Sequence, residues 1–304
     1  MKIFITGATG YIGGSLAAKL IAGGHSVSGL TRTEDGATKL RARGIEPVIG
    51  ALTSGKVLAE AARNADAVIN AANSDDANSV EAMLPALHGT GRTFIQTSGS
   101  SIISDRAAGE PSDLSFHEDS IYEPLPERAG RAAIDRMLLA AANRGVRSIV
   151  IRPTLIYGLG KGAHHDSVQV PKMIAVAKKH GVPRHVGRGL NVWSHVHLDD
   201  VVDLYLLALE KAHPGSLFYV ENGECAMKTI TEAIGRVLGN RAPEDWPIDE
   251  AFAELGPAAY TTYGSNSRVR AAKARGMLGW TPKGPALIDE IERGCYRDDI
   301  LAKQ

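Results

Sequence analysis

MKIFITGATGYIG, residues 1–13, is the stretch that decides the fold. Its first six residues have the apolar character of a buried strand, and a helical pattern follows it to about Ala22. Gly7, Gly10 and Gly13 stand at the junction, where such glycines permit a tight turn, a close approach to a pyrophosphate and close helix packing. The first N–H groups of a helix lack intrahelical partners and lie at the positive end of its dipole, which favours an anion. We therefore predict a bound dinucleotide here; a glycine-rich turn without a ligand is the alternative.

Strands and helices alternate over the first half of the chain. Runs typical of strands lie at 25–30, 46–49, 67–71, 92–97 and 148–152, and helical patterns lie between them at 34–43, 55–64, 77–88 and 126–144. This alternation with short loops predicts a parallel sheet with helices on both faces, which is a doubly wound α/β fold. Ligands bind at the carboxyl ends of the strands in such sheets, so the residues that follow each strand are the candidates for a site.

The end of the second strand carries Arg32 between Thr31 and Thr33. This position reaches the adenosine ribose, where an Asp or Glu is usual for NAD and an Arg accommodates the 2′-phosphate of NADP. No acidic residue precedes Glu34 in this chain. The sequence therefore predicts NADP(H) in preference to NAD(H), with Arg32 on the phosphate and Thr31 or Thr33 assisting. A solvated surface arginine is the alternative.

Small and hydroxyl-bearing residues follow the next two predicted strands of the sheet. The turn at 71–73, Ala-Ala-Asn, would let the backbone pass close to a flat cofactor, although small residues also form ordinary turns. The run Thr97-Ser-Gly-Ser-Ser101 places hydroxyl groups at the end of a later strand. We expect the first turn to contact the cofactor and the second to lie at the cofactor or the substrate, although serines are also common in loops.

Charge and composition exclude several other classes of protein. The 34 basic and 34 acidic residues balance, which gives no electrostatic reason to bind nucleic acid or an anionic membrane. No apolar run approaches the roughly 20 residues that span a bilayer, and the strand at the start does not have the pattern of a signal peptide. Cys225 and Cys295 are too few for a disulfide framework. We therefore expect a cytoplasmic protein that acts on a small molecule.

Four histidines raise the question of a metal site. His164 and His165 are adjacent, and His195 and His197 would place both rings on one face of an extended segment. No third ligand stands at a recognisable metal-binding spacing. We predict no metal, and structural roles for His195 and His197.

Four motifs together resemble the extended and atypical short-chain dehydrogenase/reductase superfamily, in its group similar to NAD-dependent epimerases and dehydratases. They are TGATGYIG at 6–13, RPTLIYG at 152–158, WSHVHLDDVV at 193–202 and LGWTP at 278–282. The resemblance implies a Rossmann sheet of about seven strands, formed by residues 1–155 with 191–216 returning to it. It also implies a smaller substrate-binding part from 156–190 and 217–300, and a monomer or a homodimer.

The resemblance further implies a nicotinamide cofactor. The residues expected to contact it are Gly7, Thr9, Gly10, Tyr11, Ile12, Gly13, Arg32, Ala71, Ala72, Asn73, Thr97, Ser98, Arg131, Pro153 and Thr154. The chemistry of the superfamily uses a Ser or Thr that orients the carbonyl and a Tyr that exchanges a proton with the reacting oxygen. A Lys lowers the pKa of that Tyr and holds the nicotinamide ribose. The Tyr and the Lys are spaced YxxxK on the helix predicted at 126–144.

This chain departs from the superfamily because that helix has no YxxxK. An alignment on Asp135 and the leucines after it puts Glu127 in the place of the Tyr and Arg131 in the place of the Lys. An arginine can keep the ribose contact but cannot exchange protons near neutrality. A carboxyl group donates a proton only where its surroundings favour the neutral form.

Two other positions stay open. Tyr122, in the loop before the helix, is an alternative phenol, and Gly99 aligns with the catalytic Ser about as well as Ser100 does. The predicted catalytic residues are Ser98, Ser100, Tyr122, Glu127 and Arg131. The sequence favours an NADP(H)-dependent oxidoreductase acting on a small carbonyl or alcohol. The alternatives are a low-turnover NADP(H)-binding protein of the redox-sensor type and a nucleotide-sugar epimerase or dehydratase, against which the missing dyad counts.

Overall fold

A seven-stranded parallel sheet forms the centre of the protein, in a computed structural model that describes residues 1–302. The strands, in chain order, are β1 (Lys2–Thr6), β2 (Ser26–Thr31), β3 (Glu46–Ile49), β4 (Ala67–Asn70), β5 (Thr93–Thr97), β6 (Arg147–Pro153), β7 (Leu155–Tyr157), β8 (Arg184–Val186), β9 (Val192–His197), β10 (Ser216–Val220), β11 (Glu224–Ala226) and β12 (Glu244–Trp246). The sheet has the order β10-β6-β5-β4-β1-β2-β3. The predicted doubly wound α/β fold with about seven strands is therefore confirmed.

Helices flank the sheet. They are α1 (Tyr11–Ala22), α2 (Glu34–Arg41), α3 (Gly55–Arg63), α4 (Ala77–Met83), α5 (Pro126–Ala140), α6 (Gln169–His180), α7 (Leu198–Lys211), α8 (Met227–Val237), α9 (Ile248–Leu255), α10 (Ala272–Leu278), α11 (Leu287–Glu292) and α12 (Arg297–Leu301). Because helices cover it, the inner strands are buried on both faces: every residue of β4 and β5 is buried. Within residues 1–302, no helix combines the length and the apolar character needed to cross a membrane.

The strand order reverses beside β1, which has β2 on one side and β4 on the other. Thr6 and Asn70 are level at the carboxyl ends of β1 and β4. A crevice opens at such a switch point, and this is where open α/β sheets bind their ligands. The glycine turn that follows β1 therefore stands at the position where the topology favours a site.

A second, smaller core lies beside the sheet. It contains a three-stranded sheet of β11, β9 and β7 and the pair β12 and β8, with helices α6, α8, α11 and α12 around them. Trp193 and Trp246 are both buried in this core. The smaller part thus has its own apolar interior.

The expected boundary between the two parts is wrong at residues 217–220. This segment belongs to β10, which pairs with β6 and completes the large sheet. The segment 269–280 also packs against the large sheet, where Ala274, Leu278 and Trp280 belong to its core. Without β10, the backbone N–H and C=O groups of β6 that point away from β5 would lack ladder partners. Conversely, β9 pairs with β7 and β11 of the smaller part.

Candidate functional site

The glycine turn has a backbone that other residues would not allow. Gly7 has a φ of +75°, and a Cβ built on it would lie 2.7 Å from the carbonyl oxygen of Ala71. A Cβ on Gly13 would collide with the carbonyl group of Gly7. The Gly10 N–H donates to the Gly7 carbonyl at 2.8 Å and closes the turn before α1. The turn is therefore an open cradle of backbone atoms, and a pyrophosphate fits the chemistry of such a cradle at a helix start.

A cleft of about 730 Å³ opens over this turn. Six of the residues predicted to contact the cofactor line it: Gly7, Thr9, Gly10, Arg32, Ala71 and Ala72. Its volume lies within the usual range for cofactor and small-molecule sites. The structure therefore brings these six residues, from three different strand ends, to one surface.

Other predicted contacts point elsewhere. The Tyr11 hydroxyl donates to the Gly158 carbonyl at 2.7 Å, and burial raises the pKa of this phenol. Ile12 packs against the large core. Asn73 is exposed beside the turn, where its side-chain oxygen accepts a hydrogen bond from the Asp75 backbone. Tyr11 and Ile12 therefore use their side chains inside the protein. The sequence pattern at the start of a helix does not show which residues do so.

Arg32 is exposed at the end of β2 and lines the cleft. The acidic residues that follow it are already paired, Glu34 with Arg41 at 2.8 Å and Asp35 with Lys39 at 2.6 Å. Thr33 accepts a hydrogen bond from the Gly36 N–H and so caps α2. Within residues 1–302, no carboxylate therefore forms an ion pair with Arg32.

A loop from the smaller part forms one wall of the same cleft. The His164 N–H donates to the Thr9 carbonyl at 3.2 Å, and the Lys161 N–H donates to the Ser15 hydroxyl at 2.9 Å. Gly162 packs directly against Gly10. Sequence reasoning assigned this loop to the substrate-binding part, and its only signal was the spacing of glycines at 158, 160 and 162.

Arg131 lies at the carboxyl end of β5, and its side chain is only 11% exposed. Its Nε and Nη2 donate to the two carboxylate oxygens of Asp75 at 2.8 and 2.6 Å. These hydrogen bonds hold the pKa of Asp75 below its usual range. The remaining Nη1 donates to the Ser101 hydroxyl at 2.9 Å. The structure thus joins Arg131 to the predicted hydroxyl cluster, but through Ser101, which sequence reasoning left out of the catalytic set.

Ser98 belongs to a buried network instead. Its hydroxyl donates to Asp135 at 2.9 Å, and the same carboxylate oxygen accepts from Arg152 Nε at 2.8 Å. Arg152 also donates to the hydroxyl of Tyr122 at 2.7 Å and to that of Tyr219 at 3.1 Å. Burial raises the pKa of Asp135, and Arg152 opposes that shift. Ser98 and Tyr122 are therefore brought together, as members of one internal ion-pair network.

Ser100 and Glu127 lie away from Arg131. Ser100 is buried, and its hydroxyl accepts from the Ser267 hydroxyl at 2.9 Å. Glu127 is exposed and forms an ion pair with Arg106. The burial that a carboxyl proton donor requires is absent there. The expectation that Glu127 replaces the catalytic Tyr has no support in this arrangement.

The hydroxyls predicted on β5 and after β6 are also used internally. Thr97 accepts from the buried Tyr205 phenol at 2.7 Å, and Thr154 donates to the Val220 carbonyl at 2.9 Å. Pro153 is buried at the end of β6. Thr154 therefore uses its proton inside the protein, whereas Thr97 serves as an acceptor there and keeps its own.

The paired histidines on β9 occupy one face, as predicted. The rings of His195 and His197 contact the Tyr157 ring edge-on, with centroid distances of 5.6 and 5.5 Å. Burial lowers the pKa of His195 to about 4, and His197 accepts from the Asp199 N–H at the start of α7. Over residues 1–302, no three His, Cys, Asp or Glu side chains gather in a metal-binding group.

Comparison with known proteins places this fold in a family. The model of the NAD dependent epimerase/dehydratase family matches residues 3–219. An uncharacterised protein of Schizosaccharomyces pombe is 31% identical, over 97% of this chain and 100% of its own length. The family match confirms the resemblance drawn from the four motifs.

Relatives with stated activities include a reductase and an epimerase. A 4-hydroxy-2-methyl-3-oxo-4-farnesyl-3,4-dihydroquinoline-1-oxide ketoreductase of Stigmatella aurantiaca is 27% identical, over 73% of this chain and 69% of its own. The crystal structure of a Thermotoga maritima UDP-glucose 4-epimerase with UDP-glucose has a TM-score of 0.77 at 19% identity, covering 99% of this chain and 100% of that one. This second similarity shows a shared fold.

Proposed function

The chain belongs to the NAD dependent epimerase/dehydratase family, and from this premise we propose that it is an NADP(H)-dependent oxidoreductase acting on a small carbonyl or alcohol. The observation that carries the proposal is the Arg131–Ser101 pair, which lies at the end of β5 in the sheet whose β1 end carries the glycine turn. A cation and a hydroxyl placed together there suit an oxygen on which negative charge develops.

Ser101 and Arg131 divide the work on that oxygen. Ser101 accepts a hydrogen bond from Arg131, so its own proton is free to be donated to a carbonyl oxygen of the substrate. A bound reduced nicotinamide supplies hydride to the carbonyl carbon. Arg131 stabilises the negative charge that then grows on the oxygen, but a guanidinium does not release its proton near neutral pH. The half-buried Ser101 hydroxyl therefore passes the proton to the product and recovers one from water.

Arg131 is held for this task by Asp75. The two-point contact fixes the plane of the guanidinium and leaves Nη1 directed at Ser101. In this proposal Arg131 also takes the ribose-holding role of the missing lysine. Asp75, 56 residues away in the chain, positions the Arg131 side chain. In the superfamily, the YxxxK spacing on one helix positions the corresponding side chains.

The preference for NADP(H) rests on Arg32. It lines the cleft without an ion-pair partner in the described residues, and the nearby carboxylates of α2 are occupied by Lys39 and Arg41. A 2′-phosphate would find an unpaired cation there, whereas the one carboxylate named in the cleft lining, Asp35, is already paired with Lys39.

The test is consumption of cofactor with a panel of aldehydes, ketones and quinones, followed at the NAD(P)H absorbance with NADPH and NADH in parallel. We expect turnover with at least one carbonyl class and a lower KM for NADPH. Binding of NADPH with no consumption across the panel would favour the second candidate, a low-turnover binding protein.

One observation favours that second candidate. Helix α5 carries no tyrosine, Glu127 is exposed and paired with Arg106, and the Ser98 hydroxyl gives its proton to Asp135, so the superfamily's usual proton donor has no replacement at its own position. The third candidate needs a separate assay, in which UDP-glucose is incubated with the oxidised cofactor and the nucleotide sugar is analysed by chromatography, since an epimerase would change the sugar without net consumption of cofactor.

A further inference from the structure

Arg128 is an arginine without an acidic partner in the first turn of α5. It stands three residues before Arg131, so the two side chains are neighbours on the helix surface. The carboxylates nearest to it already have partners: Asp75 is held by Arg131, and Glu127 is held by Arg106. No carboxylate in residues 1–302 forms an ion pair with Arg128.

The guanidinium of Arg128 is poorly satisfied. Its one hydrogen bond within the described residues runs from Nη2 to the Thr261 hydroxyl at 3.2 Å, and its buried Nε has no partner. Burial lowers the pKa of this group, and the positive charge of Arg131 lowers it further. A half-buried cation in such surroundings is costly unless an anion joins it.

The position of Arg128 connects it to the site. Thr261 belongs to the turn 259–263 of the smaller part, so Arg128 reaches from the large sheet across to that part. Its neighbour Arg131 carries the Ser101 contact at which the proposed function places the substrate oxygen. A ligand between the two parts that reaches Ser101 would therefore lie within reach of Arg128.

We propose that Arg128 binds a carboxylate of the substrate, and that the substrate is an oxo acid. The carboxylate would pair with the Arg128 guanidinium while the carbonyl oxygen lies at Ser101 and Arg131. Neighbours three apart on a helix have Cβ atoms roughly 5–6 Å apart, a spacing that suits two functional groups of one small molecule. This inference rests on the proposed function for the identity of the reacting carbonyl.

The experiment compares acids with their neutral esters. Pyruvate, 3-oxobutanoate and 4-oxopentanoate are titrated by calorimetry into the NADP⁺ complex, each beside its methyl ester. We expect at least one acid to bind about tenfold or more tightly than its ester, as charge-assisted pairing predicts. Arg128→Gln should remove this preference, Arg128→Lys should restore part of it, and Arg136→Gln, an exposed arginine of the same helix, should leave it intact.

The outcomes separate this inference from the function beneath it. Equal binding of acids and esters, or an acid preference that survives in Arg128→Gln, would overturn the carboxylate site. Consumption of NADPH with the esters but no preference for any acid would overturn it while the oxidoreductase stands. Acid preference that depends on Arg128, without turnover, would support the site and count against the oxidoreductase. Melting curves of the three variants show whether each is folded.

Discussion

The turn after β1 and the loop after β5 end on the same edge of one sheet, yet they are built in opposite ways. The first is made of backbone: Gly7 and Gly13 create its shape, and the Gly10 N–H closes it on the Gly7 carbonyl three residues away. The second is made of side chains, and Arg131 reaches Ser101 and Asp75, which are 30 and 56 residues away. A turn built from backbone tolerates few substitutions, whereas a surface built from side chains, such as the proposed catalytic one, can change its members.

The largest effect is expected from a substitution in the glycine turn after β1. Gly13→Val should abolish NADPH binding, because a side chain at this position collides with the Gly7 carbonyl and moves the turn. Fluorescence titration of NADPH measures the loss. Gly276→Ala, a helical glycine whose Cβ would meet nothing within 4 Å, is the matched control and should bind normally. Wild-type affinity in Gly13→Val would mean that the cofactor does not use this turn.

The second-largest effect is expected at the loop after β5, where side chains form the contacts. Arg131→Gln should lower kcat/KM for the carbonyl substrate by about 100-fold, the usual cost of losing a charge-stabilising donor at a reacting oxygen. It should also weaken cofactor binding if Arg131 holds the ribose. Arg136→Gln is the control, since Arg136 is exposed on the same helix. Unchanged kcat/KM would remove Arg131 from the site, and unchanged NADPH affinity would refute the ribose contact alone.

This contrast also explains what could be predicted from the sequence. The strand, glycine turn and helix of residues 1–22 form through local contacts, so their pattern sufficed for the fold and the cofactor cleft. The hydrogen-bond partner of Ser100 is Ser267, 167 residues away. Because a local sequence pattern does not contain this partner, it could not show that Ser100 is used inside the protein. Similarly, the position of Ser98 after a strand predicted a site residue, but its hydroxyl donates to Asp135, 37 residues away, which also accepts from Arg152.

The helix at 126–144 shows the same limit in another form. Its regular α-helical part ends at Ala140 and continues as a short 3-10 turn to Arg144, close to the expectation. Its position and buried face were therefore predictable, but the direction of each polar side chain was not. Glu127 turned out to face Arg106 in solvent, because the loop that carries Arg106 passes that end of the helix.

A third, smaller effect concerns Arg32 and the preference for NADPH over NADH. Arg32→Ala should weaken NADPH binding by about 30-fold, the value of one charge-assisted contact, and leave NADH binding nearly unchanged. Parallel titrations with the two cofactors measure the ratio. Lys19→Ala, which removes an exposed lysine far from the cleft, serves as the control for a general loss of positive charge. An equal loss of affinity for both cofactors would show that Arg32 does not bind the 2′-phosphate.

The last prediction compares Ser98, which the sequence placed in the catalytic set, with Ser101, which it left out. Ser98→Ala should lower the free energy of unfolding by about 1 kcal/mol, because Asp135 loses one of its buried hydrogen bonds, and leave kcat almost unchanged. Ser101→Ala should do the reverse: the half-buried Ser101 hydroxyl is the proton donor of the proposed function, so kcat should fall by about 100-fold. Stability should change little, because Arg131 keeps both hydrogen bonds to Asp75. Denaturant melts and steady-state rates measured on the same preparations decide the matter. A drop in kcat for Ser98→Ala with none for Ser101→Ala would move the reacting oxygen to the Asp135–Arg152 network, where Tyr122 would then be the proton donor.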